Sequence, residues 1–279
     1  MTRATARSSV WERQSPLADE SQVIIDLDAT LIGSHSEKEL ASPNYKRGFG
    51  FHPMMAFVDH GKGGTGEPVA ALLRTGRAAA NDAADQIAVL DAALAQLPEQ
   101  HRKKVLVRGD SGSGVQPFVH HIHDLGLRYS VSVYGRQPVL DALAALTRKA
   151  WKKALDADGK PREGTRVAEL TRRLPARCED RTRNLKDTGV TNLPLQSFDK
   201  NQIWLELCCL ASELIVWTQT LAFHDLPVRL WEPKRLRLRL LAVAGRIITT
   251  ARRRILRLSK RWPWTDLIIG GHRRLTMIT

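Results

Sequence analysis

VIIDLDATLI, residues 23–32, carries two aspartates, Asp26 and Asp28, in an otherwise apolar run. On a strand the side chains alternate between faces, so Asp26 and Asp28 share one face while Val23, Ile25 and Leu27 take the other. Continuous apolar character of this kind suits a strand covered on both sides, at the centre of a layered sheet. The residues that follow supply its neighbours. GFGFHPMMAFVDH predicts a second strand around 54–58, HGKGGTGEP a turn, and VAALLRTG a third strand. Asn81 can cap a helix whose apolar positions Ala84, Ile87, Leu90, Leu94 and Leu97 recur at helical spacing until Pro98 ends it. KKVLVRGDSGSG then gives a fourth strand with Asp110 at its tip. A helix over 115–125, a fifth strand in YSVSVY and a helix over 138–146 complete the half. This order predicts an α/β layer sandwich with a mixed sheet: the early hairpin supplies antiparallel strands and the later helices supply crossovers.

The second half reads differently. Residues 152–175 are polar and basic, with DADGKPREG as a turn or linker and a short helix near 167–173. Helices are expected over 179–187, over 201–223, and, rich in arginine, over 234–261. The stretch 203–223 is apolar enough to suggest a membrane span, but Glu206 and Glu213 would each cost a few kcal/mol in lipid, so it reads as a core helix. The N-terminus lacks the apolar core of a secretory signal. Cys178, Cys208 and Cys209 offer neither a metal-ligand spacing nor a disulfide framework, which places the chain in a reducing cytoplasm.

At 279 residues, 43% hydrophobic and 26% charged, the composition is ordinary for a globular chain. The net charge of +14 is not ordinary, and it favours a polyanionic partner such as nucleic acid. Residues 226–279 hold 14 Lys or Arg against only Glu232 and Asp266, a local charge of +12. WEPKRLRLRL and the arginines at 252–254 therefore read as a DNA-contacting surface with salt-sensitive binding rather than a solvated face. Trp217, Trp231, Trp262 and Trp264 read as packing aromatics.

Two chemistries compete for the aspartates. DLDATLI resembles the opening motif of haloacid-dehalogenase-like phosphatases, which would make Asp26 a nucleophile and Asp28 its acid/base. That family wants a further acidic residue shortly after the Gly-Asp of its late motif, and SGSGVQP supplies none. Its first strand also leads into a helix, whereas a hairpin is expected here. His120, His121 and His123 read as a surface helix face. HGKGGTGEP is no Walker loop, because its Lys precedes the glycines.

Asp28, Asp110 and Glu179 instead form a set of two strand-end carboxylates and one on a later helix, which suits two hard divalent cations and in-line attack on a phosphodiester. DLDAT, GFGFHP, AFVDHG, VLVRGDSG, ARCEDRTRNLKDTG, NQIW and WEPKRLRLRL together resemble the DDE transposases of bacterial insertion sequences. The resemblance runs from about Trp11 onward. It implies an RNase H-like catalytic core and Asp28, Asp110 and Glu179 as catalytic, metal-binding acids for Mg²⁺ or Mn²⁺. Asp26 becomes a supporting neighbour. Lys186, seven positions after Glu179, matches the Glu-x6-Lys half of the family signature, two helical turns along the same face, where it could hold a DNA phosphate. Arg183, Lys234, Arg235, Arg237, Arg252, Arg253 and Arg254 complete the implied DNA contacts. The implied activity is metal-dependent cleavage and strand transfer at insertion-sequence ends, by a homodimer on DNA.

The chain also departs from that pattern. Pro175 and Arg172 stand where the signature has Arg and Tyr, and only 69 positions separate Asp110 from Glu179, where relatives carry a strand-rich insertion. Barely twenty residues precede the first strand, so no N-terminal DNA-binding region is expected. The sequence thus reads as a truncated and internally deleted copy: a polar lead (1–21), an RNase H-like core (22–150), a linker in place of the insertion (151–176), and a helical part with the third acid and the basic tail (177–279). A remnant that binds DNA without cutting it is the alternative.

Overall fold

The computed structural model describes residues 3–14, 22–60, 66–132, 151–155, 160–168, 185–250 and 253–277. Strand β1 (Val23–Ala29) lies at the middle of a five-stranded sheet in the order β6-β5-β1-β7-β8. β5 (Met54–Asp59) runs antiparallel to β1, and β6 (Glu67–Leu72) antiparallel to β5. On the other side β7 (Val105–Gly109) and β8 (Arg128–Val131) are parallel to β1 and to each other. Hairpin on one side and crossovers on the other give the mixed α/β sheet expected from the order of elements. Three short strands, β2 (Ile32–Gly33), β3 (Ser42–Pro43) and β4 (Phe49–Phe51), form a small separate sheet between β1 and β5 in sequence. Gly50 makes it possible: its φ is +150°, and a side chain there would strike the Ile32 carbonyl.

Alternation divides the sheet into two packed faces. Val23, Ile25 and Leu27 of β1 join Val58, Val105 and Val107 under α2 (Ala83–Ala95) and α4 (Gln116–Asp124), which contribute Leu90, Ala93, Phe118 and Ile122. Burying each of the larger aliphatic side chains contributes about 1.5–3 kcal/mol. Asp82, one residue after the expected cap, accepts from the Asp85 amide and starts α2. On the opposite face Met55 and Phe57 pack with Phe51, Leu73 and the first half of a long helix, Phe198–Ala222, through Leu205, Cys208 and Cys209. Both cysteines are buried free thiols, and burial pushes Cys208 up to about 11 and Cys209 up to about 12.

The long helix is apolar and long enough to cross a membrane by length and composition. Its packing is that of a core helix. Glu213, wholly buried in it, pairs with Arg3 at 3.0 Å and with Arg7. These arginines come from α1 (Arg3–Gln14), a helix formed by residues that read as a polar lead. Arg7 also reaches Glu67 at 2.5 Å, and Glu67 accepts from Trp11 Nε1 at 3.2 Å and Trp217 Nε1 at 3.0 Å, with His60 Nε2 at 2.9 Å. This buried cluster joins α1, the outer strand β6 and the long helix.

Elsewhere in the second half, strand replaces linker and helix. β9 (Trp151–Leu155) and β10 (Pro161–Ala168) form a hairpin across the expected linker, and Val167 and Ala168 end a strand instead of starting a helix. The expected basic helix over 234–261 reduces to Pro233–Leu236, with one wider turn to Leu241, and then a hairpin of β11 (Gly245–Thr250) and β12 (Arg253–Leu258). Gly245 and the β-branched run Ile247, Ile248, Thr249, Thr250 favour extended backbone there. A C-terminal helix, Thr265–Thr276, follows. The helix expected over 138–146 lies outside the described residues.

Candidate active site

β1 and β7 run parallel with Asp26 opposite Arg108 and Leu27 opposite Gly109, so the next pair in the same register is Asp28 and Asp110. Val105 and Val107 share the core face with Val23 and Ile25, which leaves Arg108 and Asp110 on the face of Asp26 and Asp28. Asp110 keeps extended backbone at the tip of β7. Asp28 and Asp110 each follow the last paired residue of the two neighbouring strands, Asp28 half-buried and Asp110 exposed. Asp110 also accepts from the Gly112 amide at 2.8 Å and opens a short turn, Ser111–Ser113. Gly109 is needed beside it, because a side chain there would collide with Ser113.

One layer below, the chemistry is different in kind. Asp26 is almost fully buried and takes a two-pronged ion pair from Arg108, with Nη2 at 2.7 Å, and the same guanidinium reaches Asp59 at 2.9 Å. Two carboxylates on one guanidinium leave this buried layer without excess positive charge, directly beneath Asp28 and Asp110. A nucleophile must be reachable, and Asp26 is not, so the phosphatase reading of DLDAT loses its first residue. Asp26 is instead the buried partner of Arg108.

His52 lies within the field of Asp28 and beside Arg74, and sequence reasoning gave neither residue a role. Burial lowers the His52 pKa below the ordinary histidine value, opposed by its bond to the Ala78 carbonyl at 2.7 Å and by the field of Asp28. Arg74 donates to the His52 carbonyl at 2.8 Å and to Asp85 at 3.1 Å. Pro53, next to His52, accepts from the Thr30 amide at 3.1 Å, so this segment closes on the end of β1. The only signal in the sequence was the FHP triplet.

Glu179 and Arg183 lie outside the described residues. Just after them, Lys186 is half-buried on a wide turn, Lys186–Val190. That turn is pinned to the long helix: Thr188 Oγ1 donates to the Leu185 and Cys208 carbonyls, and Trp204 Nε1 donates to Gly189 at 3.2 Å. It also packs beside Pro233–Leu236, which brings Lys186 into the neighbourhood of Lys234. Lys234, Arg235 and Arg237 are exposed. Arg235 lies over the Trp231 ring at 4.5 Å, and Arg239 sits between Trp231 and Trp264 at 4.9 and 4.7 Å. Trp231 and Trp264 meet edge to face, and Trp262 Nε1 donates to the Arg239 carbonyl at 2.8 Å, so these aromatics pack the fold as expected. Arg254 is exposed on β12, Arg253 lies on the same strand, and Arg252 is outside the described residues.

The family model of the transposase DDE domain group 1 matches residues 4–171 and 161–278. The chain belongs to the DDE transposases. No curated protein matches it. Membership makes this a transposase sequence with DNA as its partner, from a family that generally works with divalent metal ions. In this transposase the oxygen donors of Asp28 and Asp110 fit a hard cation. Among the described residues no group of three or more metal-ligating side chains gathers.

Proposed function

We propose that the chain is an insertion-sequence transposase that cuts DNA at the element's ends and joins it to a target, from an RNase H-like core. The observation that supports this reading is the parallel register of β1 and β7, paired as far as Leu27 and Gly109, the residues just before Asp28 and Asp110. The antiparallel hairpin on one side of β1 and the parallel crossovers on the other support the RNase H-like assignment of the sheet. Asp28, Asp110 and Glu179 are the proposed acids, and they would hold Mg²⁺ or Mn²⁺. Bound divalent metal would supply a polarised phosphodiester and an activated water or 3′ hydroxyl. The chain's own residues do the rest. The buried Asp26–Arg108–Asp59 layer holds the two strand ends rigid, and Asp110 is oriented by its bond to Gly112.

Lys186, Lys234 and Arg237, with Arg183, Arg235, Arg252, Arg253 and Arg254, are the proposed phosphate contacts. The working form is a homodimer on DNA in the cytoplasm, pairing two ends. One observation favours a second reading. The family model matches in two stretches that overlap at 161–171, which supports a break in the family pattern before Glu179 and hence a remnant that binds DNA without cutting. A plasmid carrying the element's ends, incubated with Mg²⁺ or Mn²⁺ beside Asp110→Asn, separates the two. Cutting by the wild type and not by the variant is expected for the transposase. Salt-dependent DNA retention with no cutting by either protein establishes the remnant.

A further inference from the structure

We propose that the β11–β12 ribbon is a DNA arm that lies in the major groove of a duplex, with Arg246 and Arg257 as its groove-facing cations. This rests on the reading that the chain acts on DNA, and it adds a specific element, two arginines and a mode of contact.

The ribbon pairs only with itself, in six register pairs from Gly245 opposite Leu258 to Thr250 opposite Arg253. An isolated two-stranded hairpin is marginal in water, and this one exposes Ile247 at 70% and Leu256 at 59%. Its charge is one-sided. From Gly245 to Arg261 there are seven Lys or Arg and no acidic residue. Among the described residues no acidic side chain pairs with the exposed Arg246, Arg254 or Arg257. Arg246 stands directly opposite Arg257. Like charges in that position destabilise a hairpin, and a polyanion between them removes the cost.

The dimensions agree with the charge. A two-stranded ribbon fits the major groove, about 12 Å wide. Six residues of strand span roughly 20 Å. On the face of Arg246 and Arg257 the next pair is Ile248 opposite Ile255. Arginine can take guanine O6 and N7 in that groove, and isoleucine can meet thymine methyls. A surface that only tracked phosphates would have no use for the isoleucine pair beside its cations.

The test uses the full chain and a labelled mixed-sequence duplex of about 40 base pairs, long enough for several groove turns. Binding is followed by anisotropy across salt, and guanine N7 protection by dimethyl sulfate. The variants are Arg246→Ala with Arg257→Ala, and as a control Lys103→Ala with Lys104→Ala, two exposed lysines beyond α3 (Glu99–Arg102). The wild type and the control are expected to protect N7. The arginine variant is expected to lose N7 protection, the readout of base contact, and to bind the duplex more weakly than the control. Removing like charges leaves the ribbon folded, which far-UV circular dichroism checks. Retention without N7 protection by the wild type, or unchanged N7 protection in the arginine variant, overturns the ribbon and leaves the DNA reading standing. Failure of the wild type to retain duplex at low salt overturns both.

Discussion

Arg108 holds two buried carboxylates on one guanidinium, and its value to the chain is set by what its removal leaves behind. Arg108→Met would strand Asp26 and Asp59 without a counter-charge, a loss expected to cost about 3–5 kcal/mol in a urea titration. Asp110→Asn removes an exposed carboxylate and is expected to leave the same titration nearly unchanged while abolishing any cutting. An equal and large loss for both would refute the division of labour. By alternation alone Asp26 and Asp28 are alike, since both sit on the polar face of one strand, and only the family resemblance of DLDAT set them apart in the sequence. Only Arg108, 82 residues away, separates a buried ion pair from an accessible acid. His52 was likewise illegible, because burial and the Ala78 carbonyl that define it come from distant segments.

Among the elements, the central strands were legible because their apolar alternation matches a two-sided core, and the turn residues between them fixed the order. The β11–β12 ribbon was not. Leu and Arg both favour helix in isolation, so RLRLRL and RRRILRL suggested one continuous helix. The pairing of 245–250 with 253–258 depends on register that no local preference reveals. Before the ribbon, Arg239 fills the space between Trp231 and Trp264, and this stacked arrangement ties Pro233–Leu236 to the C-terminal segment. Arg239→Ala is expected to lower stability by about 1–2 kcal/mol and to shift tryptophan fluorescence, while Arg237→Ala, which is exposed, leaves the spectrum unchanged. An unshifted spectrum in Arg239→Ala would remove the arginine from the packing.

Across the whole molecule, α1 was the least legible element, because only Val10 and Trp11 of it enter the apolar core and the rest of its anchor is charge. Its anchor has a pH signature. Burial alone would raise the Glu67 pKa, but Arg7 and His60 outweigh burial and hold it at about 2, against an ordinary 4.5. A carboxylate lowered on folding contributes fully above pH 4.5, and that contribution disappears as pH falls toward 2. Denaturation midpoints are therefore expected to drop across that window, and Glu67→Gln to lose that part of the drop from a lower starting stability. A variant as acid-sensitive as the wild type would assign the drop elsewhere.

The same cluster bears on how the chain comes to be folded at all. Arg7 leaves the ribosome before Glu67, which comes with the early strands, and Glu213 arrives some two hundred residues after Arg7. Until then a growing chain has a sheet edge whose buried acid has only part of its final surroundings, and Trp217 has yet to be made. Contacts so far apart in sequence are slow to close. The first half of this chain thus waits on its second half, and a product cut short before the long helix would be a poor substrate for folding and a good one for proteolysis.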